Sequence, residues 1–197
     1  MSRFTRTFPA LGAAAVLGIG GAAASASAGG GHRHAAEGSV QHAAKRAYSA
    51  ADMQYLQTGI EGDRFEIAGG KLAQQKGNSQ GVKAYGARLV TDHTKSLKDA
   101  TALAKRLGIK VPTSPAPSMQ WELQTVGMFS GAEFDTAYVN LEAMDHQQDI
   151  SEARDEVKDG TNAAIRKSAK TEIPTLQQHL KLAQQLGGKT GTDPLGG

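Results

Sequence analysis

The chain has 197 residues, with 22 basic against 19 acidic side chains and a net charge of +3. It contains no cysteine, which excludes disulfides, thiolate metal sites and cysteine nucleophiles. Aromatic residues make up only 5% of the chain, alanine and leucine are common, and long β-branched runs are missing. This composition favours an all-α protein, and the length suits one ordinary domain with its own core.

Residues 1–28 have the pattern of a secretory signal peptide. Arg3 and Arg6 precede a small, apolar run over residues 8–24, and Ala26-Ser27-Ala28 offers a cleavage site. Cleavage there would remove two arginines and no acidic residue, leaving a net charge of +1, which gives no case for nucleic-acid binding. We therefore expect a periplasmic or secreted protein without a stable membrane anchor after cleavage.

Both ends of the mature chain are predicted to be flexible. Residues 29–50 form a leader rich in glycine, alanine and histidine, and residues 187–197 form a glycine-rich tail. His32 and His34 could capture copper or nickel, although a plain tether is the simpler interpretation. The folded domain is expected to cover residues 51–186.

The first half of this domain predicts a helical hairpin. One amphipathic helix covers about residues 51–76, and Ser49 with Asp52 forms a capping box at its start. A second helix covers about residues 80–107. The paired glycines at 69–70 predict a close approach between helices rather than a phosphate-binding loop, because no strand precedes them.

The second half predicts another hairpin. Ser130 and Glu133 have capping-box spacing at the start of a helix that continues to about residue 158. The last helix covers about residues 161–186, and Pro174 is expected to kink it or weaken one turn.

The connection between the two hairpins, residues 109–130, is long. Three prolines prevent a helix at its start, and residues 119–128 can form a short extra helix. About 22 residues can extend about 70 Å, which exceeds the roughly 40 Å length of each main helix. The connection can therefore cross the bundle and make the second and third long helices parallel. This predicts a ferritin-like four-helix bundle with one long crossover.

The second and third long helices contain nearly the same motif. Ala84-Tyr85 is followed by Asp92-His93, and Ala137-Tyr138 is followed at the same spacing by Asp145-His146. Each histidine falls on an apolar stripe, where an imidazole must be hydrogen-bonded or ligated. The aspartates point about 100° away from the histidines and are expected to contact other helices. The two tyrosines are expected to pack in the bundle.

Reflection through the hairpin turns places carboxylates opposite these histidines. Asp63 or Glu66 is expected opposite His93, and Glu172 opposite His146. His179 lies on the stripe of the last helix, about 10 Å further along it, and is a weaker candidate on geometry. The layer suits iron, manganese, zinc or copper. The candidate metal ligands are therefore His93, His146, His179, Glu172, Glu66 and Asp63.

Three functions are compatible with this layer. The leading hypothesis is an exported metal-binding bundle in envelope metal handling or stress protection. A structural or interaction module of the envelope, whose polar core only fixes helix register, is the main alternative. A redox enzyme with a dinuclear centre would need His93 and His146 within about 10 Å. Enzymatic turnover is disfavoured because the Glu-x-x-His signature of di-iron bundles and any nucleophile motif are missing.

Four segments, one on each long helix, resemble a known exported bacterial family, domain of unknown function 4142. They are residues 66–73, 82–94, 134–146 and 173–179. The resemblance covers about residues 52–186 and implies a ferritin-like bundle in the periplasm or outside the cell, without an established activity. It also implies that His93, His146 and His179 are recurring positions. In such proteins the paired glycines usually precede the glutamate, whereas here Glu66 precedes Gly69-Gly70.

Overall fold

The computed structural model describes residues 47–190, which form five helices and no strand. The helices are α1 (Ala50–Lys76), α2 (Gln80–Leu107), α3 (Pro117–Met128), α4 (Gly131–Asp159) and α5 (Ala163–Gln185). The predicted all-α bundle with a short extra helix is thus confirmed. The predicted signal peptide, most of the leader with His32 and His34, and most of the tail lie outside the described residues.

The connection between the hairpins crosses the whole bundle. Near its start, the carbonyl oxygen of Lys110 accepts a hydrogen bond from Gln57 at 2.8 Å, in the first half of α1. Near its end, the carbonyl oxygen of Gly127 accepts one from Lys76, the last residue of α1. Since α1 packs against α4 and α2 against α5, this crossover makes α2 and α4 parallel. The structure therefore has the predicted one-crossover topology of ferritin-like bundles.

The ends of α1 and α4 are joined through Asp52. Its carboxylate accepts the backbone N–H of Ser49 at 2.6 Å, and Ser49 Oγ accepts the N–H of Asp52 at 3.0 Å, which is the predicted capping box. The same carboxylate accepts the N–H of Thr161 at 2.7 Å, across the α4–α5 turn. Although burial acts in the opposite direction, hydrogen bonds from Thr161 and Ser49 hold the pKa of Asp52 well below its usual value.

Two predictions about helix starts were wrong. Ser130 makes no side-chain cap on α4, because Gly131 has φ of 59°, and this left-handed first residue turns the chain away from capping geometry. The last helix begins at Ala163 rather than near Thr161, because the Asn162 side chain accepts the N–H groups of Ala164 and Ile165. Pro174 lies inside α5, and the helix continues on both sides of it.

A polar layer divides the core into two apolar clusters. One cluster contains Phe65 of α1 and Leu89 of α2, together with the first half of α4. The other contains Ile60 of α1, Leu103 of α2 and the start of α5. Between these clusters lie buried histidines and carboxylates from all four long helices. The apolar clusters supply the driving force for folding, and the layer has to be satisfied by its own contacts.

Close contact between α1 and α2 depends on two facing glycines. A Cβ atom on Gly70 would lie 2.5 Å from the carbonyl oxygen of Gly86, and one on Gly86 would lie 2.6 Å from that of Gly70. The predicted close approach is therefore present at Gly70. This contact fixes the position of α1 along α2. It therefore also fixes the level of the α1 carboxylates relative to His93.

We expect Gly70→Ala to destabilise the protein by about 1–3 kcal/mol, because the added methyl group meets backbone rather than a movable side chain. Urea denaturation would measure the change. Gly59→Ala is the matched control, since nothing lies within 4 Å of its Cβ position. The control should be more stable than wild type by about 0.4–1 kcal/mol. Equal stability of the two variants would contradict the close-contact interpretation.

Candidate metal centre

Three buried histidines from three helices meet at the centre of the polar layer. The ring centroids of His93 and His146 are 5.8 Å apart, those of His93 and His179 are 5.2 Å apart, and those of His146 and His179 are 5.1 Å apart. One nitrogen of each ring lies within 4.8 Å of the others. The parallel course of α2 and α4 puts the first two at one level, and α5 brings the third. We call these residues the histidine triad.

The predicted offset of His179 was wrong. Its Nδ1 lies 3.1 Å from Nε2 of His146, in the same layer. The predicted offset assumes a turn at Gly160, whereas the turn in the structure continues to Asn162. Helical side chains also lean toward the N-terminus of their own helix, so in antiparallel α4 and α5 they lean in opposite directions. The two effects bring a residue nearly two turns beyond Glu172 to the level of His146.

Two rings of the triad have one nitrogen fixed as a donor. Nδ1 of His146 donates to the carbonyl oxygen of Glu142 at 2.8 Å. Nε2 of His179 donates to Asp92 Oδ2 at 2.9 Å. Although partial burial opposes the shift, hydrogen bonds from Arg88 and His179 hold the pKa of Asp92 below its usual value, so it accepts as a carboxylate. As predicted, Asp92 contacts another helix.

The third ring is held by Asp63. Nδ1 of His93 lies 2.9 Å from Asp63 Oδ1, and both side chains are buried. This is the partner that the hairpin geometry predicted. Nε2 of His93 has no hydrogen-bond partner among residues 47–190. Burial raises the pKa of Asp63 well above its usual value. The contact orients the His93 ring, and it increases the basicity of that ring as a metal ligand when Asp63 is ionised.

The protonation state leaves lone pairs that face one another. Burial lowers the pKa of His93 and of His179 to about 4, and it lowers the pKa of His146 well below its usual value. All three rings are therefore neutral at neutral pH. Since the outer nitrogens of His146 and His179 carry the hydrogen, their inner nitrogens, 3.1 Å apart, both present lone pairs. Two lone pairs at this distance repel unless a proton or a cation lies between them.

Carboxylates occupy the other side of the His146 ring. Its Nδ1 is 3.5 Å from Glu66 Oε1 and 3.8 Å from Glu142 Oε2, and both glutamates are fully buried. Burial and repulsion from Glu142 raise the pKa of Glu66 well above its usual value, and burial raises the pKa of Glu142 to about 8. Glu66 also approaches Asp145 and Asp149. Glu66 was predicted in the layer, whereas Glu142 and Asp149 were not among the candidates.

Glu172, predicted opposite His146, does not join the group of three histidines, although its charge acts on His93. Its carboxylate accepts hydrogen bonds from Tyr55 Oη at 3.3 Å and from Ser168 Oγ at 2.9 Å. The position opposite His146 that was assigned to Glu172 is taken by His179. Glu172 instead lines a cavity beside the triad.

This cavity, of about 440 Å³, connects the polar layer to the surface. Its inner wall includes Asp63, His93 and Asp149, and its outer wall includes the exposed Lys95 and Lys167. A small ligand or a hydrated ion can therefore reach His93 through this cavity.

The distance condition for a dinuclear centre is met, since the centroids of His93 and His146 are 5.8 Å apart. The required bridging group is not found in residues 47–190, however. The group of three histidines and the group formed by Glu66, Glu142 and His146 have only His146 in common, and the ring of His146 lies between the two groups. The geometry therefore favours a mononuclear histidine site.

The profile of a protein family described as domain of unknown function DUF4142 matches residues 37–186. The chain belongs to this family. The match includes every helix of the bundle and all three residues of the histidine triad. This DUF4142 protein matches no curated protein and no solved structure. Within residues 47–190, no helix is long and apolar enough to cross a membrane.

The buried Glu142 predicts a specific pH dependence for this DUF4142 domain in its metal-free form. Its raised pKa of about 8 means that the folded protein keeps a proton that the unfolded chain loses near pH 4.5. The contribution of Glu142 to the free energy of unfolding is therefore full at low pH and is lost as the pH rises to about 8. The loss is at most about 1.4 kcal/mol per pH unit. The histidines, with lowered pKa values, act in the opposite direction only below about pH 6.5.

We therefore expect the unfolding free energy to fall between about pH 6.5 and 8. Urea denaturation after chelator treatment would measure this slope. Glu142→Gln keeps the shape of the protonated side chain and should make the slope shallower, while Glu66 and Asp149, whose pKa values burial also raises, keep part of it. Glu133→Gln, at an exposed position on the same helix, should leave the slope unchanged. The same slope in Glu142→Gln as in wild type would contradict the assignment.

Proposed function

We propose that this DUF4142 protein is an exported metal-binding bundle that holds a transition-metal ion in its histidine triad. The observation that carries the proposal is the pair of inward-facing lone pairs on His146 and His179, 3.1 Å apart, with His93 beside them. Nitrogen atoms that share one tetrahedral metal lie at about this separation, given metal–nitrogen bonds of about 2.0–2.1 Å. His146 and His179 are therefore already at ligand spacing, and His93 has a ring nitrogen within 4.8 Å of theirs.

The ligand chemistry narrows the choice of metal. Three neutral imidazoles suit zinc, copper or iron better than manganese, which prefers oxygen ligands. Three protein ligands leave one position of a tetrahedral ion open. His93 lines the cavity, so the open position can be reached by water or by a small ligand. This supports exchange of the ion, as envelope metal handling or stress protection requires.

Export is supported by the signal-peptide pattern of residues 1–28. A protein outside the cytoplasm cannot rely on reduced thiols for metal binding, and this chain has no cysteine. A histidine site remains competent in an oxidising compartment.

The alternative function is a structural module whose polar layer only fixes helix register. Contacts across helices favour it, since Asp63–His93 joins α1 to α2 and Asp92–His179 joins α2 to α5. It differs from the metal hypothesis in its response to metal. The structural module loses stability when the histidines are replaced, but gains none when an ion is added.

Metal content decides between the two. The chain has six histidines, so replacing His32, His34 and His42 by alanine leaves only the triad and serves as the background. We expect the untagged background protein to retain about one zinc ion per chain by mass spectrometry. A further His93→Gln/His146→Gln substitution should reduce this to below about a tenth.

Thermal unfolding provides the second measurement. Zinc at about 100 times its dissociation constant should stabilise the background protein by about 2.7 kcal/mol and raise its Tm, with no effect on the double variant. Equal metal content in the two proteins, or an unchanged Tm, would reject the metal-binding function.

The carboxylate behind His179 gives a finer prediction. Asp92→Asn keeps the side-chain shape but removes the charge that makes the ring more basic, so zinc affinity should fall about 10–100-fold. Competition with a zinc chelator would measure it. Asp99→Asn is the matched control, because Asp99 is exposed on the same helix and its carboxylate accepts a hydrogen bond from Lys95. Unchanged affinity in Asp92→Asn would show that His179 is not a ligand.

A further inference from the structure

A second group of metal-ligand types lies beside the histidine triad, on the opposite side of the His146 ring. It consists of Glu66 from α1 with Glu142, Asp145 and Asp149 from α4, and we call it the carboxylate cluster. One oxygen each from Glu66, Asp145 and Asp149 lies within 4.8 Å of the others. One oxygen of Glu66, one oxygen of Glu142 and one nitrogen of His146 also lie within 4.8 Å of one another. Glu66 is thus common to both groups.

Buried acceptors without donors distinguish this cluster from an ordinary acidic patch. Glu66 and Glu142 are both 0% exposed. Their carboxyl groups interact with each other, and that of Glu142 interacts with Tyr138, but none of the four oxygens has a partner in hydrogen-bond geometry within residues 47–190. The fully buried hydroxyl of Tyr138, a neighbour of Glu142 in the core, also has none there. Buried carboxylates are normally paired or bind metals, since an uncompensated charge away from water is very unfavourable.

The local packing keeps space free at this point. A Cβ atom on Gly69 would lie 3.2 Å from Glu142 Oε1 and 3.5 Å from the ring of Tyr138. Gly69 therefore has a different role from Gly70, which packs against α2. It lets α1 border the carboxylate cluster without covering the oxygens of Glu142.

We propose that the carboxylate cluster binds a hard divalent cation, such as Mn²⁺ or Ca²⁺, at a site distinct from the histidine triad. Oxygen-only ligands from several carboxylates suit such ions, whereas three imidazoles suit zinc or copper. A divalent cation would compensate the mutual repulsion of these side chains and supply a partner for the oxygens that have none.

His146 separates the two sites instead of bridging them. Its Nδ1 donates to the carbonyl oxygen of Glu142, so only Nε2 is available as a ligand, and Nε2 faces His179. The two ions would therefore lie on opposite sides of one imidazole ring, further apart than the 3.5–4 Å of a carboxylate-bridged pair.

Both sites can be reached from the same cavity. Asp149 of the carboxylate cluster and His93 of the histidine triad are part of its wall. Asp63 and Glu172 lie on the same wall and add carboxyl oxygens near the layer.

Manganese binding in zinc-loaded protein tests this inference. Zinc is added first to fill the histidine triad, and Mn²⁺ is then titrated and followed by electron paramagnetic resonance and mass spectrometry. We expect about one manganese in addition to zinc. Glu66→Gln/Glu142→Gln should lower the manganese content to below about a tenth and leave zinc unchanged. His93→Gln/His179→Gln should lose zinc and keep manganese.

Controls make each outcome decisive. Asp155→Asn/Asp159→Asn removes two charges from exposed positions of α4 and should bind manganese like wild type. If the double glutamine variant does not fold, Glu66→Gln alone removes the carboxylate common to both groups and should give the same loss. The inference does not require zinc in the triad, so manganese without zinc would reject only the proposed function.

Three results would overturn the inference. Absence of manganese binding at millimolar concentration would mean that protons alone satisfy the cluster. Retention of manganese by the glutamine variants would place the ion elsewhere. Loss of manganese in His93→Gln/His179→Gln would indicate a single centre instead of two separate sites.

Discussion

The contact between the inner nitrogens of His146 and His179, which are buried and 3.1 Å apart, is the constraint on which the polar layer depends. Each ring is oriented by an acceptor on its outer side, and these acceptors come from α4 and α2. The orientation of the rings is therefore determined by the packing of the helices. Because burial keeps the rings neutral, their lone pairs face one another, and the bundle holds a repulsive arrangement that a cation would relieve.

Topology explains which part of this layer the sequence could predict. The length of residues 109–130 requires a crossover, the crossover makes α2 and α4 parallel, and parallel helices put His93 and His146 at one height. Asp63 follows from the same argument through the α1–α2 hairpin. His179 and Glu172 were exchanged because residue counting locates Cα positions only. Side-chain direction on antiparallel helices, and a turn longer by two residues, shift the match by nearly two helical turns.

The carboxylates of α4 were missed for a different reason. A search for Glu-x-x-His tests only a spacing of three, whereas Glu142 precedes His146 by four residues and occupies the same helical face. Asp145 lies off the single apolar stripe that the sequence pattern predicts as the buried side, and the same pattern gives no prediction for Asp149. In the structure, α4 packs against α1, α5 and α3, so it buries a wider arc than one stripe. The extra helix of the crossover, whose packing no local pattern reveals, covers part of that arc.

The position of the layer between two apolar clusters also bears on why it exists. Replacement of buried charged groups by apolar side chains of similar size is often neutral or stabilising, so stability alone gives little reason to keep Glu66, Glu142 and three histidines in the core. Fixing helix register would need only the Asp63–His93 and Asp92–His179 contacts, which already join α1 to α2 and α2 to α5. The carboxyl groups of Glu66 and Glu142 lie near each other and near Nδ1 of His146, but none of their oxygens has a partner in hydrogen-bond geometry within residues 47–190, so they add little to register. Groups that lower stability without improving specificity are expected at functional sites, and these side chains belong to the two types that divalent metals use as ligands.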